Sequence, residues 1–177
     1  MAWQAEMGCP IPWDAGLLDG FRETLPFRLT AAQERVLRQI SADLALSQPM
    51  SRLLQGDVGS GKTVIAAAAL LQTVAAGFQG ALMAPTEILA EQHYRSLSRL
   101  FGNPEFEALE SLPLAYLPDE RPVLRVGLLT GSLRAKEKQR LAQAAAAGEL
   151  DVLVGTHALI QESVAFRNLG LAVIDEQ

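Results

Sequence analysis

Short apolar runs alternate along the chain with longer stretches whose apolar residues recur at helical spacing. That alternation predicts a parallel sheet covered by helices on both faces. Thr30 suits the cap of a helix over 31–46, with Val36, Leu37, Ile40 and Leu44 on one face and Ser47-Gln48-Pro49 ending it. Arg52-Leu53-Leu54-Gln55 reads as the first strand, and the alanine-rich run from Val64 as a helix that closes near Ala76-Gly77. A strand over 80–84 precedes a helix over 86–101, whose buried face is marked by Leu89, Tyr94, Leu97 and Leu100. A strand over 123–129, a helix over 133–147 stopped by Gly148, and short strands over 151–154 and 171–174 complete the series. Two segments break the rhythm. Residues 1–26 hold Pro10, Pro12, Gly16, Gly20 and Pro26 and read as a linker or the tail of a preceding domain, leaving 27–177 as the folded unit. Residues 102–122 combine Pro104, Pro113, Pro118 and Pro122 with five acidic residues and read as an exposed excursion.

Chemistry enters at Gly56-Asp57-Val58-Gly59-Ser60-Gly61-Lys62-Thr63, which fits G-x-x-x-x-G-K-[ST] at every fixed position, between a predicted strand and a predicted helix. Glycines let the backbone turn tightly enough to aim several N–H groups at one anion, and the helix start adds its partial positive charge. Lys62 then reaches the β- and γ-phosphates of a nucleotide, and the Thr63 hydroxyl ligates Mg²⁺. The bland alternative is a glycine-rich turn, which the strand and helix on either side disfavour. A second half of the site lies in Leu171-Ala172-Val173-Ile174-Asp175-Glu176, an apolar strand ending in two acids. Asp175 is the expected Mg²⁺ carboxylate, and Glu176 the base that polarises attacking water. Gln33 lies 23 residues before Gly56, beside Phe27. Its amide can pair with an adenine edge while the ring stacks on the base, which favours ATP over GTP, as does the lack of an Asn-Lys-x-Asp element.

Composition narrows the partners. The net charge of −5 argues against a strongly basic nucleic-acid clamp, so contact with DNA or RNA would rest on local groups or on other domains. Pro85-Thr86, Thr130-Gly131 and Gly155-Thr156 each follow a predicted strand, and in a parallel sheet all carboxyl ends share one edge. Hydroxyls and helix-start N–H groups there can grip phosphates without reading bases, although the same threonines can simply cap helices. No apolar run reaches the roughly 20 residues of a membrane span. Cys9 is the single cysteine, which suits a reducing compartment and reads as a small apolar residue. His93 and His157 have no neighbouring ligands at metal-binding spacing and read as polar-edge residues, while the basic run 134–140 reads as a solvated helix face.

With these motifs in order, the chain resembles the first motor lobe of superfamily 2 helicases and, more narrowly, the RecG family. The segment 25–33 is similar to the family's adenine-side motif, 56–63 to motif I, and Met83-Ala84-Pro85-Thr86-Glu87-Ile88-Leu89-Ala90-Glu91-Gln92-His93 to motif Ia. Thr130-Gly131-Ser132 stands where motif Ib does, Gly155-Thr156-His157-Ala158-Leu159 where motif Ic does, and Asp175-Glu176-Gln177 resembles the start of a D-E-Q-H box. The resemblance implies a RecA-like P-loop sandwich of three layers, incomplete at its C-terminal side. It implies ATP and Mg²⁺ as cofactors and an ATP-dependent helicase acting on branched or duplex DNA in the bacterial cytoplasm. The implied partners are a second motor lobe and a wedge domain of the same polypeptide, with no membrane. Pro85, Thr86, Thr130, Gly131, Gly155, Thr156 and His157 become the implied DNA contacts. The nearest other reading within the superfamily is the transcription-repair coupling translocase, which shares the Gly-Asp-Val-Gly loop and the Gly-Thr-His element. Outside it stand a small-molecule P-loop kinase and a non-catalytic nucleotide-binding fragment.

Two departures carry expectations of their own. The stretch 103–122 is longer than the family pattern leads one to expect, and the sequence stops at Gln177, before motif III. Without the arginine that the second lobe supplies, worth about 10³–10⁵ in rate, the isolated chain should bind ATP weakly and hydrolyse it negligibly. An uncovered sheet edge would favour marginal stability or association.

Overall fold

Short apolar runs, two of them buried nearly throughout, and helical stripes between them set the elements of the computed structural model. It describes residues 8–12, 14–57, 59–102, 124–160 and 164–175. In order they form α1 (Ala15–Thr24), α2 (Ala31–Leu44), α3 (Lys62–Ala75), β1 (Gln79–Met83), α4 (Glu87–Leu100), β2 (Val126–Leu129), α5 (Ala135–Ala147), β3 (Val152–Gly155), a 3₁₀ turn (His157–Ile160) and β4 (Leu169–Ile174). The excursion expected over 102–122 lies, apart from Gly102, outside the described residues.

The four strands are all parallel, in the order β2-β3-β1-β4. Successive side chains point to opposite faces. Leu82, Val152, Val154 and Leu171 therefore join Leu37, Leu70, Leu71, Leu97 and Phe101 in the larger core, under α1 to α4. Leu129 and Leu153 turn the other way, to Ala145, Ala158 and Leu159, under α5 and the 3₁₀ turn. Gly80 is the close-approach point of the larger face: a Cβ there would run into the Leu70 side chain.

Two expectations change. The 1–26 segment reads as a linker or the tail of a preceding domain, and α1 forms within it, capped by Asp14, whose carboxylate accepts from the Leu17 N–H at 2.9 Å. Ile11, Leu17, Leu18 and Phe21 are buried in the larger core, and the Ile11 and Gly8 N–H groups donate to the carbonyls of Leu44 and Ser47, both at 2.8 Å. Buried Gln72 accepts from the Ser41 hydroxyl at 2.8 Å and donates to the Pro12 carbonyl at 3.1 Å, stitching this segment to α3. Arg22 grips Glu34 of α2 through two nitrogens at 2.9 Å. The glycines that suggest a linker sit inside a helix whose leucine and phenylalanine stripe outweighs their cost, about 1 kcal/mol each.

The second change concerns 52–55, which forms no strand. A ladder needs a neighbour to take its N–H and C=O groups. Among the described residues β4 bonds only to β1, its other edge is open, and Leu53 is 81% exposed. Three residues, 76–78, connect α3 to β1, so α3 runs antiparallel to that strand and its first residue, Lys62, lies at the strands' carboxyl edge. The segments following β1, β2, β3 and β4 all emerge on that same edge.

Candidate functional site

The phosphate loop is shaped by two glycines with positive φ, Gly59 at 81° and Gly61 at 84°. Gly61 caps α3 in the left-handed region, and no side chain caps this helix start, which leaves it available to an anion. A Cβ on Gly61 would also collide with the Gln33 side-chain nitrogen, so glycine is required there twice over. Lys62 folds back over its own loop: Nζ donates to the carbonyls of Gly56 at 2.7 Å and Asp57 at 3.0 Å. The Ser60 N–H closes the turn onto the Asp57 carbonyl at 3.1 Å, and Thr63 lies half-buried in the first turn of α3. Val58 lies outside the described residues.

Gln33 sits beside this loop, but its amide is engaged with protein. Oε1 accepts from the Thr30 N–H at 2.8 Å, completing a capping box, while Nε2 donates to the Ser60 carbonyl at 2.7 Å. One N–H and one lone pair of the amide remain for a base. Phe27, 48% exposed, precedes α2 with its ring accessible.

At the other strand end, the Asp175 N–H donates to the Met83 carbonyl at 2.8 Å, carrying the β1–β4 ladder one residue past Ile174. Its Oδ2 lies 2.7 Å from His93 Nε2 of α4, with the two side chains only 13% (His93) and 21% (Asp175) exposed. His93 reads as a polar-edge residue from sequence. Its position three residues after buried Ala90 and four before buried Leu97, on the inward face of α4, is the signal that it has an interior role. Glu176 and Gln177 lie outside the described residues.

The strand-end threonines differ from one another. Thr86 caps α4, its Oγ1 accepting from the Leu89 N–H at 3.3 Å, next to half-buried Pro85. Thr130, expected at the surface, is 4% exposed and its hydroxyl pairs with that of Ser132 at 3.1 Å. The exposed members of that loop are Gly131 and Ser132. Even there the Ser132 N–H is taken by Glu87 Oε1 at 2.9 Å, and Lys138 donates to the Gly131 carbonyl. The hydrogen bonds from Ser132, hydroxyl first and N–H second, hold the Glu87 carboxyl below its ordinary range. Gly155 has no room for a side chain against the Leu129 carbonyl. Thr156 donates its N–H to Leu129 at 3.3 Å and accepts from Leu159 at 3.0 Å, and exposed His157 begins the 3₁₀ turn.

A parallel sheet with a glycine-rich loop, an acid and three further loops on one edge is common to many nucleotide-binding proteins, and comparison decides among them. The sequence profile of the DEAD/DEAH box helicases matches residues 30–177. The chain belongs to the DEAD/DEAH box helicase family. Within it, the chain is similar to the ATP-dependent DNA helicase RecG of Bacillus subtilis, 51% identical over 157 residues, which is 89% of this chain and 20% of that protein. It is also similar to RecG of Streptococcus pneumoniae, 46% identical over 170 residues, 96% of this chain and 22% of that protein. A solved structure of RecG bound to a three-way DNA junction superposes with a TM-score of 0.79 at 44% identity, covering 97% of this chain and 21% of that one. The fold is thus the RecA-like lobe of a DEAD/DEAH helicase, and the chain spans about a fifth of the length of the curated relatives it matches.

Membership in the DEAD/DEAH family implies use of ATP. Its usual companion, Mg²⁺, prefers a carboxylate, a hydroxyl, phosphate oxygens and retained waters to an all-protein cage. The donor set fits that preference: Thr63 and Asp175 are hard oxygen donors at one sheet edge, and no cluster of three or more metal-ligating residues occurs among the described residues. None of the described helices is long and apolar enough to cross a membrane.

Proposed function

We propose that residues 27–177, with 8–26 packed against them, form the ATP-binding part of the first motor lobe of a bacterial, cytoplasmic, ATP-dependent DNA helicase acting on branched DNA. The observation that carries this is the common edge: Lys62 at the start of α3 and Asp175 at the end of β4 share the carboxyl side of one parallel sheet with the loops after β1, β2 and β3. The junction-bound RecG structure, alike over 97% of this chain, supports branched DNA as the substrate class. A small-molecule kinase would need a lid and an acceptor pocket where these loops stand.

In this reading Lys62 leaves the carbonyls of Gly56 and Asp57 for the β- and γ-phosphates, and the backbone of residues 56–61 wraps them. The Thr63 hydroxyl and Asp175 hold Mg²⁺, which when bound offsets charge on the phosphates. Glu176 orients and deprotonates the attacking water. Phe27 stacks on the adenine, and the remaining N–H and lone pair of Gln33 read its edge while the rest of the amide keeps α2 tied to the loop. Pro85, Thr86, Gly131, Gly155, Thr156 and His157 track the DNA backbone, with Thr130 supporting from beneath. A second lobe and a wedge domain of the same polypeptide complete the motor.

The test is ATP-driven unwinding of a three-way junction by the full-length protein and by its Lys62→Ala variant. Unwinding falls at least about a hundredfold in the variant if the loop holds the transferred phosphates. Undiminished unwinding would overturn the proposal, and phosphorylation of a small acceptor without DNA stimulation would replace it with the kinase.

A further inference from the structure

We infer that His93 is a positioning residue for the metal-binding carboxylate: it holds Asp175 in the orientation that presents Oδ1 to Mg²⁺. The inference deepens the nucleotide-site reading above and rests on the assignment of Asp175 to the metal.

The argument starts from what fixes each atom of Asp175. Its backbone is set by the 2.8 Å bond from its N–H to the Met83 carbonyl, at the end of a ladder that runs in register from Gly80–Leu171 to Met83–Ile174. A backbone so held still leaves the carboxylate free to rotate about two side-chain bonds. The 2.7 Å contact from His93 Nε2 to Oδ2 removes that freedom. A carboxylate only accepts, so Nε2 carries the hydrogen and donates it. The bond is charge-assisted, and it lies where both side chains are mostly covered, so water competes poorly for either partner. One oxygen is thus tied to α4, while the other takes no side-chain bond among the described residues and is the one offered for ligation.

His93 is itself well anchored. It lies within a single helical stripe between buried Ala90 and buried Leu97, on a helix that begins at the Thr86 cap directly after β1, the strand that also fixes the Asp175 backbone. Both ends of the contact are therefore referenced to the same strand. Metal-ligating carboxylates are commonly hydrogen-bonded from behind in this way, and loss of such an outer partner typically weakens metal affinity or activity about 10- to 100-fold.

The experiment measures Mn²⁺ binding in the presence of ATP by electron paramagnetic resonance, using full-length protein and the variants His93→Ala, His93→Gln, Asp175→Ala and the His93→Ala/Asp175→Ala double. His93→Ala should weaken Mn²⁺ binding about 10- to 100-fold. His93→Gln, whose amide nitrogen reaches about as far as Nε2, should recover most of it. Nucleotide affinity in EDTA should stay at the wild-type value, a result that a merely structural role for His93 would not give. The double variant should bind no more weakly than Asp175→Ala alone, because the histidine acts only through that carboxylate. If Asp175→Ala weakens Mn²⁺ binding and His93→Ala does not, the positioning role is wrong while the site assignment stands. If Asp175→Ala leaves Mn²⁺ binding intact, the metal assignment falls and the inference falls with it. Should His93→Ala unfold, His93→Gln decides: Mn²⁺ binding as weak as in Asp175→Ala would overturn the role.

Discussion

The glycine-rich loop before α3 and the acid after β4 are held in opposite ways. Among the described contacts of the phosphate loop, one cross-chain side-chain bond, from Gln33 to the Ser60 carbonyl, joins it to the rest of the lobe, and its lysine rests on its own carbonyls. Asp175 is fixed through its backbone by β1 and through its side chain by α4. A loop that must wrap a polyanion gains from backbone it can rearrange, since glycine conformations and a displaceable lysine cost little to reorganise. A metal carboxylate gains from being set in advance, because orientation paid for during folding does not have to be supplied when the ligand arrives. In the proposed reading the loop closes on its ligand and the carboxylate receives one already set.

That contrast requires a rigid base under the loose loop, and the largest expected effect tests the base. Phe21 of α1 is fully buried in the core that also packs α3, the helix on which the loop ends. Phe21→Ala should cost about 3–5 kcal/mol of stability, read as a lower urea midpoint for unfolding of the full-length protein's first lobe. A cost near zero would return α1 to the status of a linker and leave α3 without the support described here.

Much of the site was legible because its chemistry is local in sequence. The glycine-rich loop, the acid after β4 and the loops after β1 to β3 are each a few contiguous residues; the last four follow parallel strands, and the short link from α3 to β1 brings the first to the same edge. Gln33 was legible as a neighbour of the loop by spacing, but its use of Ser60 and the Thr30 cap depends on side-chain packing that spacing does not encode. His93 was missed for a clearer reason. Its partner lies 82 residues away, and a search for ligands one helical turn off cannot reach across a sheet. The two misjudged elements went wrong in opposite directions. In α1 a buried stripe overrode Gly16 and Gly20, while the apolar run at 52–55 lacked the neighbouring strand that would make it part of the sheet.

The next effect bears on the loop's single tether. Gln33→Ala removes the reciprocal half of the capping box at α2 and the bond to Ser60 together. A capping element of this kind is worth about 0.3–1.5 kcal/mol, so nucleotide-free stability should fall by an amount in that range. Because Gln33 in the proposed reading also contacts the adenine edge, nucleotide should restore less stability to Gln33→Ala than to Phe21→Ala, seen as a smaller nucleotide-induced rise in melting temperature. Equal recovery in both variants would mean that Gln33 does not help to hold the nucleotide.

The smallest effect concerns the rigid half. The helix that carries His93 is tied at its first turn to the 131–132 loop, where Glu87 accepts from the Ser132 N–H and hydroxyl. These bonds favour the ionised carboxyl and depress its folded-state value below the ordinary 4.5. A depressed acid contributes stability above its unfolded value and loses it as pH falls through the folded one. The tie is therefore complete at neutral pH, begins to weaken near pH 4.5, and is gone once the pH drops below the depressed value. Glu87 is half-buried at the start of α4, and the effect of one such bond is small and read best as a difference. Wild type should unfold at a higher urea concentration than Glu87→Gln at pH 7, and the two midpoints should converge as the pH falls below the ordinary carboxyl value. A gap that persists unchanged to acid pH would show that shape rather than charge holds this corner. Helix α4 would then owe its fixed position, and His93 its aim at Asp175, to its cap and to the apolar packing of Ala90 and Leu97 with Leu89, Tyr94 and Leu100.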